Sequence, residues 1–330
     1  MLTQSCGRAV RVPTKNMKAL QFIDNQLSLA EVSRPNVATE ALIRVTTSGI
    51  CNTDLEIVRG YAGFSGTIGH EFTGIVEESD DKNWIGKRVV GEINVGCGVC
   101  ELCKLGDSRH CPTRTVLGIH NRDGCHAEFL TLPTRNLLEI PPEVSDESGV
   151  FIEPLAAAFG ITEQVVINSN TRVAVIGDGK LGILCAMSLA LKSENVVLIG
   201  KHKDKISKAK NVEGILLENI GNLPQFDVTV EASGSESGFA TALNLTKPRG
   251  KLVLKSTFNG KTSLEMWKVV VDEISIVGSR CGRFAPALEL LRTQQIDVES
   301  LISEEFSLSE SVTAIEKAAT KGVMKVLLRP

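Results

Sequence analysis

The stretch RVAVIGDGKLGILCAMSLALK, residues 172–192, limits the fold of this chain more than any other segment. It begins as an apolar β-run, passes through glycines spaced G-x-G-x-x-G, and continues in an apolar helical pattern. Glycines permit a tight strand-to-helix turn and let a pyrophosphate approach the amide groups at the helix N-terminus. The turn residues that we expect to contact a dinucleotide are Gly177, Gly179, Lys180, Leu181 and Gly182.

Further β-runs follow this turn and alternate with helical stretches. They read NVVLI, FDVTVEAS, GKLVLKS and EISIVGS. Such alternation is typical of a parallel sheet with helices on both faces. Because the glycine-rich turn opens the series, we predict a doubly wound α/β domain of the Rossmann type over residues 158–296.

The end of the second strand of this domain bears on the choice of cofactor. NAD-selective sites usually carry an Asp or Glu there, about 20 residues past the glycines, to bind the ribose 2′-hydroxyl. Here the strand ends at Gly200 and is followed by Lys201, His202 and Lys203. The missing acid leaves room for a 2′-phosphate, which the lysines would bind, whereas a solvated helix start would explain only the lysines. We therefore predict NADP(H) in preference to NAD(H).

Four of the nine cysteines fall in one short stretch, GCGVCELCKLGDSRHC, with the spacing C-x2-C-x2-C-x7-C. They are Cys97, Cys100, Cys103 and Cys111. Four thiolates suit a tetrahedral zinc, and a site closed by four cysteines leaves no position for a substrate. An iron–sulfur cluster is the chemical alternative, but nothing else in the sequence indicates electron transfer. We predict a structural zinc that fixes a loop and performs no chemistry.

A second group of metal-ligating residues is spread along the chain. Cys51 follows the strand-like run ALIRVTTSGI, and His70 precedes the run EFTGIVEE. Glu153 lies in the apolar stretch VFIEPLAAAFGI, where an unpaired carboxylate would be costly to bury. Three protein ligands leave the fourth position of a zinc ion for water or substrate, as in catalytic sites. Glu71, beside His70, is the alternative carboxylate ligand.

Composition excludes several classes of function. The 330-residue chain has a net charge of −3 and only 4% aromatic residues, which disfavours nucleic-acid binding. No apolar run reaches the length of a membrane span. Clustered cysteines without a secretory signal favour a reducing compartment, which we take as the cytoplasm. Residues 1–16 carry basic but no acidic side chains, so a targeting extension to an organelle is the alternative.

The motifs GICNTD, GHEFTG, the four-cysteine lobe, EPLAAA and GDGKLG occur in the order found in one family. The chain resembles the zinc-dependent medium-chain alcohol dehydrogenases from Met17 to Pro330, and at EPL it is similar to their polyol branch, of the sorbitol dehydrogenase type. The resemblance implies a GroES-like β-barrel catalytic domain over 17–157 and 297–330, with its zinc lobe at 94–113, joined to the Rossmann domain.

The resemblance also implies roles for individual residues. The catalytic zinc would be held by Cys51, His70 and Glu153. Asp54 would orient His70, and Thr53 would accept the proton of the substrate alcohol. Many members continue this proton relay to a histidine, at whose position this chain has Glu56, so Glu56 or water would complete the route. His110, His120 and His126 are expected to lie at the surface or to orient ligands.

The function predicted from these features is hydride transfer between NADP(H) and an alcohol or carbonyl, assisted by one of two zinc ions per chain. An NAD-dependent polyol or sugar-alcohol dehydrogenase is the near alternative. A catalytically silent, zinc-stabilised NADP(H)-binding protein is the alternative from another class, favoured only by the unusual Glu56. The expected partners are a small-molecule substrate and further copies of the chain, as a homodimer or homotetramer.

Overall fold

The computed structural model describes residues 16–37, 39–257 and 262–330, so the predicted extension over 1–16 lies almost wholly outside the described residues. The N-terminal strands are β1 Asn16–Ile23, β2 Gln26–Ser33, β3 Ala41–Gly49, β4 Gly66–Thr67, β5 Glu71–Glu78, β6 Arg88–Gly91, β7 Asn94–Val95, β8 Thr115–Val116, β9 Phe129–Leu132 and β10 Leu137–Glu139. The helices of this part are α1 Asn52–Val58, α2 Glu101–Lys104, α3 Asp146–Gly149, α4 Ile152–Phe159 and α5 Ile161–Gln164.

The rest of the chain continues in strands and helices that alternate. They are β11 Val173–Ile176, α6 Lys180–Ala190, β12 Val196–Gly200, α7 Lys203–Ile206, β13 Glu213–Leu216, β14 Phe226–Glu231, α8 Glu236–Leu245, β15 Thr246–Leu254, α9 Met266–Val271, β16 Ser275–Gly278 and α10 Phe284–Arg292. The C-terminal elements are β17 Ile302–Ser307, α11 Ser311–Ala318 and β18 Lys325–Arg329.

A six-stranded parallel sheet forms the nucleotide-binding type of domain predicted from the glycine-rich turn. Its strands lie in the order β13-β12-β11-β14-β15-β16. The first strand of this domain, β11, lies in the middle of the sheet; β12 and β13 extend it on one side, and β14, β15 and β16 extend it on the other. This is the strand order of a doubly wound dinucleotide-binding fold. The predicted Rossmann architecture is confirmed.

Both faces of this sheet are covered because its strands are apolar on both sides. Val173 and Val175 of β11 pack into one cluster with side chains of α4, α6 and α10. Ala174 and Ile176 of the same strand pack on the other face against α8. Side chains alternate along a strand, so a continuous run such as VAVI fits only a sheet buried on both faces.

The other domain is a mainly antiparallel barrel-like assembly. A seven-stranded sheet has the order β10-β6-β5-β3-β18-β17, with β9 paired to β3, and a three-stranded sheet has the order β2-β1-β4. The last strand, β18, pairs with β3, so the C-terminal segment packs with the strands of the first domain. The GroES-like α/β fold class is confirmed, while the predicted domain bounds stay a prediction.

A single apolar cluster joins the two domains. Ile140 and Val144 of the first domain belong to this cluster, as do Phe151, which precedes α4, and Leu155, which lies on α4. They pack with the face of the parallel sheet that carries Val173 and Val175. Helix α4 therefore fixes the position of the first domain against the second. Among the residues described, no helix has both the length and the apolar character needed to cross a membrane.

Replacing a core leucine tests this packing. Leu198, in β12, is 0% exposed, and Leu198→Ala should lower the free energy of unfolding by about 2–5 kcal/mol, because it leaves a cavity in a packed sheet. Leu105→Ala is the matched control, since Leu105 is 73% exposed and should cost no more than about 0.5 kcal/mol. Denaturant unfolding measures both; equal losses would contradict the packing described.

Candidate functional site

The ends of two paired strands bring the first metal-ligating residues together. Gly49, the last residue of β3, pairs with Glu71, the first residue of β5. Cys51 lies two residues past β3 at the start of α1, and His70 directly precedes β5. A side chain at position 49 would collide with this arrangement, because a Cβ there would lie 2.8 Å from Glu71 Oε2. The glycine therefore lets the two strand ends approach closely.

Cys51, His70 and Glu71 form a compact donor group. One ligand atom from each lies within 4.8 Å of the other two. His70 is 3% and Glu71 1% exposed, so both are held inside the fold. A sulfur, an imidazole nitrogen and a carboxylate oxygen are ligands that zinc accepts, and three of them leave one position open. The residues present therefore fit a catalytic zinc.

Glu153, preferred as the third ligand from the sequence, lies on α4 and lines the same cavity without belonging to this compact group. Glu71, the alternative, is the carboxylate that stands with Cys51 and His70. Burial raises the pKa of Glu153 to about 7, with Glu71 and Glu92 acting in the same direction and His70 opposing them.

Glu71 is also paired with a buried cation that the sequence analysis did not identify. Lys325 Nζ, from β18, donates a hydrogen bond to Glu71 Oε2, and both residues are 1% exposed. Burial would lower the pKa of Lys325, but Glu71 outweighs it and raises this pKa. The other oxygen, Oε1, has no hydrogen-bond partner among the described residues and is free to ligate. The one feature of the sequence that could have indicated a buried lysine is its position at the start of the apolar strand KVLLR.

Asp54 lies beneath the donor group and contacts it from two sides. Its Oδ2 accepts the Cys51 N–H at 2.8 Å, and its Oδ1 lies 3.4 Å from His70 Nδ1. His126, fully buried, places its Nε2 3.5 Å from Asp54 Oδ2 and its Nδ1 2.9 Å from Ser48 Oγ. Burial opposes ionisation of Asp54, but the two histidines hold its pKa well below the usual range. This geometry suits an orienting role for Asp54, and it adds His126 to the same network.

The donor group opens into a cavity of about 750 Å³ between the domains. Its walls include Cys51, Thr53 and Glu56 from one domain and Gly179, Lys180 and Leu181 from the other. Thr53 Oγ1 lies 3.8 Å from Cys51 Sγ, and Glu56 accepts a 2.7 Å hydrogen bond from Arg59. The cavity thus joins the predicted proton-relay residues to the glycine-rich turn.

The glycine-rich turn has the shape that a dinucleotide needs. A Cβ at Gly182 would lie 1.9 Å from Gly177 O, so this close packing of helix and strand excludes any side chain. A Cβ at Gly179 would meet no atom within 4 Å, which leaves an open cradle before the first residue of α6. Lys180 Nζ donates to Ile50 O at 3.0 Å and so links the domains. The turn fits a pyrophosphate at a helix N-terminus.

An acid from the glycine-rich turn lies against the end of β12, which the sequence did not reveal. Gly200 ends the strand, and Lys201 and Lys203 are exposed beyond it. Asp178, inside the glycine-rich turn, accepts hydrogen bonds from the N–H groups of Lys201 and His202, each at 2.7 Å. Asp178 is visible in the sequence as the middle residue of the motif GDG, but the sequence does not show that its side chain reaches the end of β12.

The four-cysteine lobe brings its sulfurs together as the spacing predicted. Ligand atoms of Cys97, Cys100, Cys103 and Cys111 all lie within 4.8 Å of one another. The Cys97 N–H approaches Cys111 Sγ at 3.4 Å, and the Cys100 N–H approaches Cys97 Sγ at 3.3 Å. The Cys97 N–H and Thr113 lower the pKa of Cys111 to about 6. Four converging sulfurs fit a closed structural zinc.

The remaining thiols and histidines are not part of either donor group, although Cys125 Sγ lies 3.4 Å from Glu71 O and Cys281 lines the cavity. Cys125 and Cys185 are buried, and Cys281 is partly buried. His110 is exposed next to Asp107 in the lobe, and His120 lines the cavity. Cys6 lies outside the described residues.

Two family descriptions match the chain. The alcohol dehydrogenase GroES-like domain matches residues 37–142, and the zinc-binding dehydrogenase family matches residues 183–293. Sorbitol dehydrogenase from Halalkalibacterium halodurans is 30% identical over 312 residues, which cover 87% of this chain and 91% of that protein.

Solved structures agree with these matches over almost the whole length. The alcohol dehydrogenase RspB from Escherichia coli CFT073, complexed with NADH, is 28% identical, with a TM-score of 0.88 and coverage of 96% of this chain and 99% of that one. A protein from Sinorhizobium meliloti 1021 assigned as a zinc-binding dehydrogenase and bound to NADP is also 28% identical, with a TM-score of 0.86 and coverage of 96% and 100%. The chain therefore belongs to the zinc-type, medium-chain alcohol dehydrogenase family, in which it is similar to the polyol dehydrogenases.

Proposed function

We propose that this oxidoreductase transfers hydride between a nicotinamide cofactor and a polyol or related secondary alcohol, with the corresponding carbonyl as the other partner. The observation that carries the proposal is the shared cavity, which has the Cys51, His70 and Glu71 donors on one wall and the glycine-rich turn on the other. Likeness to sorbitol dehydrogenase supports the polyol class.

The catalytic metal site is assigned to Cys51, His70 and Glu71, with Glu153 facing the same cavity. A zinc bound there would supply Lewis acidity toward the substrate oxygen. Asp54 holds His70 and the Cys51 backbone in place, as carboxylates commonly do behind ligating imidazoles. Lys325 donates a hydrogen bond to Glu71 Oε2 and so fixes one of the two carboxylate oxygens.

Thr53 and Glu56 are the residues proposed to move the substrate proton. Thr53 projects from the first turn of α1 beside Cys51, where its hydroxyl can accept the proton of a substrate alcohol and donate its own. Glu56 lies farther along the same helix on the cavity wall, within reach of solvent. Its carboxylate occupies the relay position and can pass the proton outward.

The cofactor is proposed to lie across the glycine-rich turn, with its pyrophosphate at Gly179 and the start of α6. Lys180 and Leu181 complete this wall of the cavity. The preference for NADP(H) predicted from Lys201 and Lys203 stays a prediction. Structural relatives bind NADH in one case and NADP in another, so likeness alone does not choose between them.

Self-association is proposed at the edge of the parallel sheet. The edge strand β16, the neighbouring helix α9 and the residues just before this helix expose apolar side chains: Leu264, Met266, Trp267, Val270, Val271 and Ile276. Contiguous exposed apolar residues are typical of protein interfaces. This supports the expected homodimer or homotetramer, which we place in the cytoplasm on the basis of cysteine usage.

Metal analysis tests the two zinc sites separately. Purified protein should contain about two zinc ions per chain, and Cys103→Ser should retain about one because the lobe loses a ligand. Cys185→Ala, which removes a buried thiol outside both groups, should keep both ions. Inductively coupled plasma mass spectrometry gives the ratios. One zinc in the unaltered protein that added metal does not increase would favour the catalytically silent alternative.

The choice between the two carboxylate ligands needs a variant that does not strand a buried charge. Glu71→Gln alone would leave Lys325 unpaired, so we pair it with Lys325→Met. The double variant should fold and lose most of the cavity zinc, whereas Glu153→Gln should retain it. Zinc content and melting temperature measure both effects. Zinc lost only from Glu153→Gln would make Glu153 the ligand, as the sequence first suggested.

Activity tests the reaction. With sorbitol, threitol or butanediol as substrate, cofactor reduction should be detected by absorbance at a rate that Thr53→Val lowers about 100-fold, the contribution typical of a positioned proton acceptor. Thr241→Val is the control, because Thr241 lies on α8 away from the cavity lining and its hydroxyl donates to Ser237 O. Equal rates in both variants would remove Thr53 from the mechanism.

A further inference from the structure

The carboxylate of Asp178 lies at the carboxyl end of β12, although it belongs to the turn that follows β11. Strands β11 and β12 are parallel neighbours, and Ile176 pairs with Ile199, so both strands end at the same edge. Asp178 Oδ2 accepts the N–H groups of Lys201 and His202 at 2.7 Å and lies 3.0 Å from His202 Nδ1. Three contacts from a neighbouring strand end thus fix one oxygen.

Asp178 occupies the space into which a side chain at position 200 would project. A Cβ built on Gly200 would lie 2.5 Å from Asp178 Cβ and 2.6 Å from its Oδ2. No ordinary side chain fits there while Asp178 is present. The glycine at the strand end therefore does not leave an empty site, because an acid supplied by the glycine-rich turn fills it.

The second oxygen of this carboxylate is available. Oδ1 takes part in none of the hydrogen bonds formed within the described ranges, and the side chain is 13% exposed. Burial opposes ionisation, but the His202 and Lys201 N–H groups outweigh it and lower the pKa of Asp178. The group is thus a fixed, negatively charged acceptor with one unused oxygen.

We propose that Asp178 determines cofactor specificity by accepting the ribose 2′-hydroxyl of NAD(H) and by excluding the 2′-phosphate of NADP(H). This inference rests on the proposed function, which places a nicotinamide dinucleotide across the same turn. In dinucleotide-binding folds an acid at the end of the second strand makes this contact; here it comes from the middle of the G-x-G motif.

The lysines on which the prediction of NADP(H) was based would attract a 2′-phosphate only weakly. Lys201 and Lys203 are exposed, so water and salt screen their attraction for a phosphate. The backbone N–H groups of residues 201 and 202, which could have bound a phosphate, are already occupied by Asp178. A 2′-phosphate would therefore meet a carboxylate at these two amide groups.

Binding titrations of NADH and NADPH on the full-length, zinc-loaded protein test the proposal. The unaltered protein should bind NADH at least about tenfold more tightly than NADPH. Asp178→Asn keeps the shape and an oxygen for the amides but removes the charge, so it should weaken NADH and strengthen NADPH, moving the ratio about tenfold or more. Asp204→Asn, an exposed acid on the adjacent helix, should leave the ratio unchanged.

A variant with the acid moved to the end of β12 distinguishes a loss of the carboxylate from a general disturbance of the fold. Asp178→Gly combined with Gly200→Asp moves the carboxylate to the strand end and should restore the preference for NADH that Asp178→Gly alone loses. Tighter NADPH binding by the unaltered protein would overturn the inference but leave the dehydrogenase proposal intact. An unchanged ratio in Asp178→Asn would also overturn it. Failure to bind either cofactor would overturn the proposed function as well.

Discussion

The pairing of Gly49 with Glu71 is the contact on which the candidate catalytic site depends. It aligns the end of β3 with the start of β5, so that Cys51 and His70 meet although they are far apart in the sequence. The register leaves no room for a side chain at position 49. Lys325 then fixes the Glu71 carboxylate from the last strand of the chain. The candidate site in the first domain therefore includes a residue from the C-terminal strand.

The second domain depends mainly on contacts between residues that are close in the sequence. A strand that is apolar on both faces, a glycine-rich turn and an apolar helix form a local unit, and repeating strand–helix units extend the sheet on both sides. The Rossmann fold and its turn could therefore be predicted from residues 172–192 and from the runs that follow. The four-cysteine lobe could also be predicted from the sequence, because its four cysteines lie within one stretch of fifteen residues.

Features that depend on distant contacts could not be read in this way. The sequence favoured Glu153 because it interrupts an apolar run, but strand register places Glu71 with the other donors. Nothing local shows that Lys325 is buried against that carboxylate, or that Asp178 reaches the neighbouring strand end. His126 was expected either at the surface or in an orienting role, and the structure buries it fully beside Asp54. In each case tertiary packing decides the partner.

One cavity is proposed to hold a metal on one wall and a dinucleotide on the other. Anomalous X-ray diffraction at the zinc edge, on crystals grown with cofactor, tests it most directly. We expect two anomalous peaks per chain, one among the lobe sulfurs and one touching Cys51, His70 and Glu71, with cofactor density at Gly179. A single peak in the lobe, or cofactor bound away from the second zinc, would contradict it.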